Sequence, residues 1–308
     1  MNRFSKFTWA VLGWNLLVIL WGTFVRASGS GAGCGRHWPT CNGEVIPRPE
    51  RIETIIEFTH RMMSGVALLL VLAMLIWGLR TLAKGHPARK GLVASSIFII
   101  TEALLGASLV LFEWVAQNQS AGRAIAVALH LANTFLLIGS LALTAYWASG
   151  GADIRLKGRK SIPWLLGLGL LGVLVIGMSG AITALGDTLF PAKSLAEGLQ
   201  QDMQPGAHFL LRLRVYHPFI AITVAVYTLY LIVNLYRQQD RQSQRFMQLL
   251  IGVGVLQLSA GLTNLLLLAP IPLQIIHLFL ADTVWITYVI TAASLLSINN
   301  SSYTVEIS

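Results

Sequence analysis

Charge is scarce in this sequence. Only 11% of the 308 residues are Asp, Glu, Lys or Arg, where an ordinary soluble domain carries about 25%. Set beside a hydrophobic share of 55%, that shortage excludes a soluble globular fold and points to a polytopic membrane protein. Acidic residues are the scarcer sign, 13 against 22 Lys and Arg, for a net charge of +9. No aspartate-rich motif is present, so a site for a prenyl diphosphate and magnesium is not expected. Cysteine is limited to Cys34 and Cys41.

What is present is a series of eight apolar segments, roughly 8–27, 53–83, 91–115, 123–148, 162–185, 210–237, 245–269 and 273–298. About 20 residues suffice to cross a bilayer, so the longer ones tilt or protrude. Met1 to Val25 shows no good cleavage site and reads as a retained first helix. It is not an amphipathic, Arg- and Ser-rich transit peptide, which favours a bacterial plasma membrane. The basic residues gather in alternate loops: Arg3 and Lys6; Arg80, Lys84, Arg89 and Lys90; Arg155, Lys157, Arg159 and Lys160; Arg237, Arg241 and Arg245. These loops are expected on the cytoplasmic side, with both termini inside. The positive charge is therefore a topology signal, and no nucleic-acid partner is expected. The outer segments mix arginines with Glu44, Glu50, Glu53, Asp187, Glu197 and Asp202.

Features recur between two halves. His217 lies 157 residues after His60, Gln257 and Gly261 lie 155 after Glu102 and Gly106, and His277 lies 147 after His130. The expected fold is all-α: two pseudo-symmetric four-helix bundles, 1–149 and 162–308, joined by a basic cytoplasmic linker, 150–161. Four helices return the chain to its starting side, so the halves would be parallel repeats. Glycine-rich helices such as 167–186 permit close packing.

Within this frame four histidines stand out. His60, His130, His217 and His277 lie on the second, fourth, sixth and eighth segments, all running from outside to inside. Each is about four to seven residues into its helix, about 6–11 Å below the outer surface at 1.5 Å per residue. Two histidines on facing helices at one depth can ligate a haem iron from both sides. Two bundles would give two such sites toward the outer face. The plain alternative is that each histidine is a hydrogen-bonded bundle residue. His37, His86 and His208 lie in loops and are given no ligand role. Arg26, Arg61, Arg212 and Arg214 lie near the outer ends and could pair with anionic propionates. They could equally mark the lipid interface by snorkelling, and Arg61 could pair with Glu57.

Glu57-Phe58-Thr59-His60-Arg61 is the densest polar cluster inside an apolar segment, and ionisable groups there are usually functional. Glu57 and His60, three apart, share a helix face. The second half differs: Arg214 precedes His217 by three residues and Pro218 follows it. One site thus has a carboxylate and the other does not, which suggests chemistry at one and a permanent cofactor at the other. Glu102 is a candidate proton relay or protonated hydrogen-bond partner; its counterpart Gln257 is neutral. Asp282 is similarly open. Cys34 and Cys41 share an outer segment, where a disulfide can form. A reactive thiol pair is the other option; the spacing is not that of a zinc motif.

At these residues the sequence resembles the haem A synthase family. The matching motifs are Gly29-Ser30-Gly31-Ala32-Gly33-Cys34 with Trp38-Pro39-Thr40-Cys41, then Glu57-Phe58-Thr59-His60-Arg61, then the single histidines of the later helices. The resemblance covers nearly the whole chain. It implies a haem b cofactor on His217 and His277, substrate haem O on His60 and His130, and a catalytic Glu57. It implies oxidation of the C8 methyl of haem O to a formyl group by successive hydroxylations, in haem A biosynthesis for terminal oxidases. It implies a Cys34–Cys41 disulfide pair and a haem O synthase as delivery partner. The electron partner stays open, as does a homo-oligomer. Two departures are Pro218, where the family has a basic residue, and the loop 186–209, which lacks the second cysteine pair of some members. The rival readings are a dihaem b-type electron-transfer cytochrome that oxidises quinol, and a transporter with parallel repeats.

Overall fold

The computed structural model describes residues 2–48, 51–156 and 161–297. Met1, Glu50, the linker charges Lys157, Arg159 and Lys160, and the segment after Ser297 lie outside the described residues. The helices are α1 (Arg3–Ala27), α2 (Ile52–Thr81), α3 (Ala88–Leu111), α4 (Ala121–Ala148), α5 (Ile162–Leu189), α6 (Leu195–Met203), α7 (Phe209–Arg214), α8 (Tyr216–Tyr236), α9 (Arg241–Leu266) and α10 (Ile271–Ser297). Among the described residues there is no strand, only an isolated bridge between Cys41 and Glu44. Eight spans are long and apolar enough to cross a membrane, α7 and α8 together making the sixth. The chain is an all-α polytopic membrane protein.

Local chemistry sets the helix ends. Asn2 caps α1, its Oδ1 accepting from Ser5 N–H at 2.7 Å. Ser120 caps α4 through Arg123 N–H at 3.2 Å, and Asp240 caps α9 through Ser243 N–H at 2.8 Å. Each such cap contributes about 1 kcal/mol.

Two features differ from the expected segments. The sixth span is interrupted at Val215, because Pro218 has no N–H to give to the Arg214 carbonyl, so the helix cannot run through unbroken. The segment 186–209 also contains α6, too short to register as an apolar run. Ser194 caps it through Glu197 N–H at 3.2 Å. Its Leu195, Leu199 and Met203, four residues apart, form one exposed apolar stripe, the pattern of a helix lying in the membrane interface.

Helices α1 to α4 pack as neighbours, and so do α5, α8, α9 and α10. The two sets meet along α4, which lies against both α5 and α10, and α1 also touches α10. In lipid such association rests on packing and hydrogen bonds rather than on the hydrophobic effect. At the seam Phe135 and Trp285 stack with ring centroids 5.4 Å apart. The Trp285 indole N–H donates to the Phe135 carbonyl. Gly139 leaves room for that indole; a Cβ there would stand 2.8 Å from its nitrogen. Arg26 of α1 crosses the same boundary. It donates to the Ala184 carbonyl at 2.8 Å, to Thr188 Oγ1 at 2.7 Å and to Gln274 Oε1 at 2.7 Å.

Asp282 of α10 is fully buried near this seam, and neither carboxyl oxygen has a hydrogen-bond partner among the described residues. A buried polar group left so costs about 1–3 kcal/mol. Asp282→Leu, which has the same number and branching of side-chain heavy atoms, is expected to raise the thermal midpoint of the detergent-solubilised chain. A lower midpoint would mean that the carboxyl is held by a partner worth more than its burial costs.

Candidate functional site

The loop between α1 and α2 is built onto α2. Cys34 and Cys41 form a disulfide with Cα atoms 4.4 Å apart, and both are wholly buried. Just past the ring Asn42 N–H donates back to the Cys34 carbonyl at 3.0 Å, and Cys41 N–H donates to the Glu44 carbonyl at 2.9 Å. The Trp38–Pro39 peptide is cis. Thr54 of α2 donates its hydroxyl to the Gly33 carbonyl at 2.8 Å. Gly33 lies so close to the Glu53 peptide that any side chain would run into it.

This loop and α2 share Glu57. The carboxylate is buried, with Oε2 accepting from Cys34 N–H at 2.8 Å. Its Oε1 accepts from Arg61 Nη2 at 2.5 Å, the i, i+4 spacing placing both on one helix face. Arg61 Nη1 donates onward to the carbonyls of His37 and Thr40, each at 2.6 Å. One guanidinium thus ties helix, carboxylate and disulfide loop together. On the α1 side, Trp14 and Trp21 donate their indole N–H groups to the carbonyls of Met63 and Ile56, at 3.1 and 3.0 Å. They dock α1 beside the same stretch.

His60 of α2 and His130 of α4 lie within electrostatic reach of one another, as do His217 of α8 and His277 of α10. All four are half-buried. The Nδ1 atoms of His60, His130 and His277 are buried without a hydrogen-bond partner among the described residues. His130 Nδ1 stands 3.7 Å from Glu102 Oε1. His217 Nδ1 is 2.9 Å from Ser179 Oγ. His277 Nε2 is 3.5 Å from the Gln257 amide. Each ring also lies against a glycine of a neighbouring helix. Paired imidazoles with unbonded ring nitrogens at His60, His130 and His277 fit a porphyrin iron held between two histidines.

Glu102 is knitted to α4 beside His130. It accepts from Asn133 Nδ2 at 2.6 Å and from the Thr134 hydroxyl. The four outer arginines all have protein acceptors: Arg26 and Arg61 those already given, Arg212 the Pro205 carbonyl at 2.6 Å. Arg214 bonds Asp202 at 2.6 Å and Asp187 at 3.1 Å. Burial raises the Asp202 carboxyl above its ordinary value, and the Arg214 guanidinium works against that rise. His208 caps α7 and His86 accepts from Ala88 N–H.

Ser179, Trp14, Trp21, Gly22 and Gly180 escaped the sequence reading, and Gly106 and Gly261 entered it only as repeat partners. One signal was available: Gly180 follows Gly22 by 158 residues, nearly the His60–His217 spacing.

Comparison with known proteins agrees with this architecture. The family profile COX15-CtaA, described as cytochrome oxidase assembly protein, matches residues 5–289. A Thermus thermophilus protein named protoheme IX farnesyltransferase is 53% identical over 298 residues, covering 96% of this chain and 49% of that one. A second strain of the same species has a counterpart of the same name at 52% identity over the same length. The chain therefore spans about half the length of these relatives. A haem A synthase of an Exiguobacterium species is 27% identical over 259 residues, covering 84% of this chain and 81% of its own. The profile runs through all four histidines and the Glu57 stretch, and the chain belongs to the COX15-CtaA, or haem A synthase, family.

Proposed function

We propose that this chain is a haem A synthase of a bacterial cell membrane, an oxidoreductase converting the C8 methyl of haem O to a formyl group. The change is a four-electron oxidation, made by successive hydroxylations of one carbon, in which the methyl group, with one water equivalent, gains one oxygen atom and gives up four electrons and four protons to an external oxidant. Residues 1–149 would hold substrate haem O between His60 and His130. Residues 162–308 would hold haem b between His217 and His277. Haem b, when bound, supplies one-electron transfer. Both termini would be cytoplasmic, on the positive-inside rule, with the haem sites toward the outer face.

The observation that carries this reading is Glu57. It is a buried carboxylate one helical turn from His60, fixed by Cys34 N–H and by Arg61. No carboxylate occupies the matching place before His217, where Arg214 stands and bonds away to Asp187 and Asp202. A carboxylate whose oxygens both accept hydrogen bonds is held ready to take a proton from the reacting centre or to stabilise positive charge there. Arg61 orients it, and the disulfide loop covers it from the outer side. The four arginines are also candidates for propionates, in addition to the acceptors they already have.

The name of the Thermus relatives raises a second reading, prenyl transfer. The absence of an aspartate-rich motif speaks against it for this chain. We take the remaining half of those relatives to carry the farnesyl transfer, and a haem O synthase to be the natural delivery partner here. The dihaem electron-transfer cytochrome is the reading the family membership does not favour.

The test is to extract the haems of the purified chain and separate them by chromatography, with and without a co-expressed source of haem O. The expected result is haem b together with haem O or haem A, the farnesylated species disappearing in His60→Ala. Haem b alone under both conditions would replace the synthase with the electron-transfer cytochrome.

A further inference from the structure

Each candidate iron ligand stands on one helix and rests against a glycine on another. A Cβ added at Gly22 of α1 would lie 2.9 Å from Cε1 of His60. At Gly180 of α5 it would lie 3.1 Å from Cε1 of His217, and at Gly261 of α9 2.9 Å from Cε1 of His277. The fourth pair is looser: at Gly106 of α3 the Cβ would be 3.8 Å from Cε1 of His130, an ordinary contact. In every case the nearest atom is the ring carbon between the two nitrogens. The odd-numbered spans thus present bare backbone to the edge of the imidazole that flanks the ligating nitrogen.

Resting on the reading of these histidines as haem ligands, we propose that Gly22, Gly180 and Gly261 are positioning residues that set the rotation of His60, His217 and His277 for iron ligation. A free imidazole can turn about its side-chain bonds to escape a methyl group at small cost. A ligated one cannot, because the ring is fixed at the iron and its orientation is part of the bond. An alanine at any of the three positions therefore acts on the haem-bound protein and spares the haem-free fold. Close approach is not by itself the signal, since Gly139 and Gly177 meet Trp285 and Phe135 as closely; what sets Gly22, Gly180 and Gly261 apart is that the ring they meet is a candidate ligand.

The experiment compares Gly22→Ala, Gly106→Ala, Gly180→Ala and Gly261→Ala in the full chain, with His60→Ala and His217→Ala as references. Haem O and haem b are quantified per protein, and the low-spin resonances of the bis-histidine iron are recorded. Gly22→Ala is expected to lower retained farnesylated haem at least tenfold with haem b unchanged. Gly180→Ala and Gly261→Ala are expected to lower haem b at least tenfold, or to shift its low-spin g-values where haem is retained. Gly106→Ala is expected to match the parent protein. The proposal is overturned if the three alanine variants keep parental haem and g-values, or if Gly106→Ala loses as much as they do. Parental haem in His60→Ala and His217→Ala would overturn the ligand reading itself, and this proposal with it. If Gly22→Ala fails to fold, the double variant with His60→Ala decides. Recovery of the fold in the double variant supports the ring contact, and continued failure overturns it.

Discussion

Glu57→Gln is expected to lower haem O oxidation by about 10²–10⁴-fold, the range for loss of a positioned acid–base group, while haem content stays at the parental level. Glutamine matches glutamate in size, so the loop and α2 keep their approach. Its amide, however, offers one acceptor where two donors converge, Cys34 N–H and the Arg61 guanidinium. The amide N–H₂ must face one of them, donor against donor, and the side chain can neither take a proton nor carry negative charge. The measurement is product formation per bound substrate haem, by chromatography, beside total haem in the same sample. Full turnover with normal haem would remove Glu57 from the chemistry and leave it as a structural partner of Arg61.

Arg61 is expected to matter as much, by a different route. It and Glu57 keep only 10% and 4% of their side-chain surface exposed, so this is a buried ion pair. Breaking such a pair from one side costs about 3–5 kcal/mol, because the abandoned charge stays buried. Arg61→Ala would strand Glu57 with a single backbone donor and free the carbonyls of His37 and Thr40. Arg61→Lys keeps the charge, yet an ammonium on a flexible stem cannot reproduce the planar fork that reaches one carboxylate and two carbonyls. Both variants are therefore expected to lose activity and to expose the Cys34–Cys41 loop to protease, lysine less than alanine. A double-mutant cycle with Glu57→Gln should be strongly non-additive, since the two side chains are one unit. Parental activity and protease resistance in Arg61→Lys would show that charge alone, without the fork, holds the loop.

Much of this organisation is legible along one dimension. Apolar runs of membrane length and their basic loops give the eight spans, because hydrocarbon admits few other patterns. His60, His130, His217 and His277 stand on the second, fourth, sixth and eighth spans, as their positions in the apolar runs suggest, with His60 in electrostatic reach of His130 and His217 of His277. The arginines are another matter. A sequence shows that Arg26, Arg61, Arg212 and Arg214 sit near helix ends, but not which acceptors they meet, and Arg26 finds its acceptors on α5 and α10. Helix α6 was illegible because nine residues with a one-sided apolar stripe resemble a polar loop in any window long enough to detect a span. Gly22 and Gly180 carried a signal in their spacing, yet a glycine's meaning depends on what faces it, and that is set by the fold.

Arg26 also has a consequence for the order of events on the ribosome. Its acceptors lie 158, 162 and 248 residues further along the chain. At about 5–20 residues per second of synthesis, the last of them emerges about 12–50 s after Arg26 itself. Through that interval α1 is in the membrane with a guanidinium whose final acceptors do not yet exist. Helix α1, made before α2 to α10, is thus among the last of them to be settled, and closure of α1 onto α10 becomes a late step of biogenesis. A nascent chain stalled before α10 would expose Arg26 to whatever insertase or lipid headgroup stands nearby, and its release would mark the moment the two sets of helices lock.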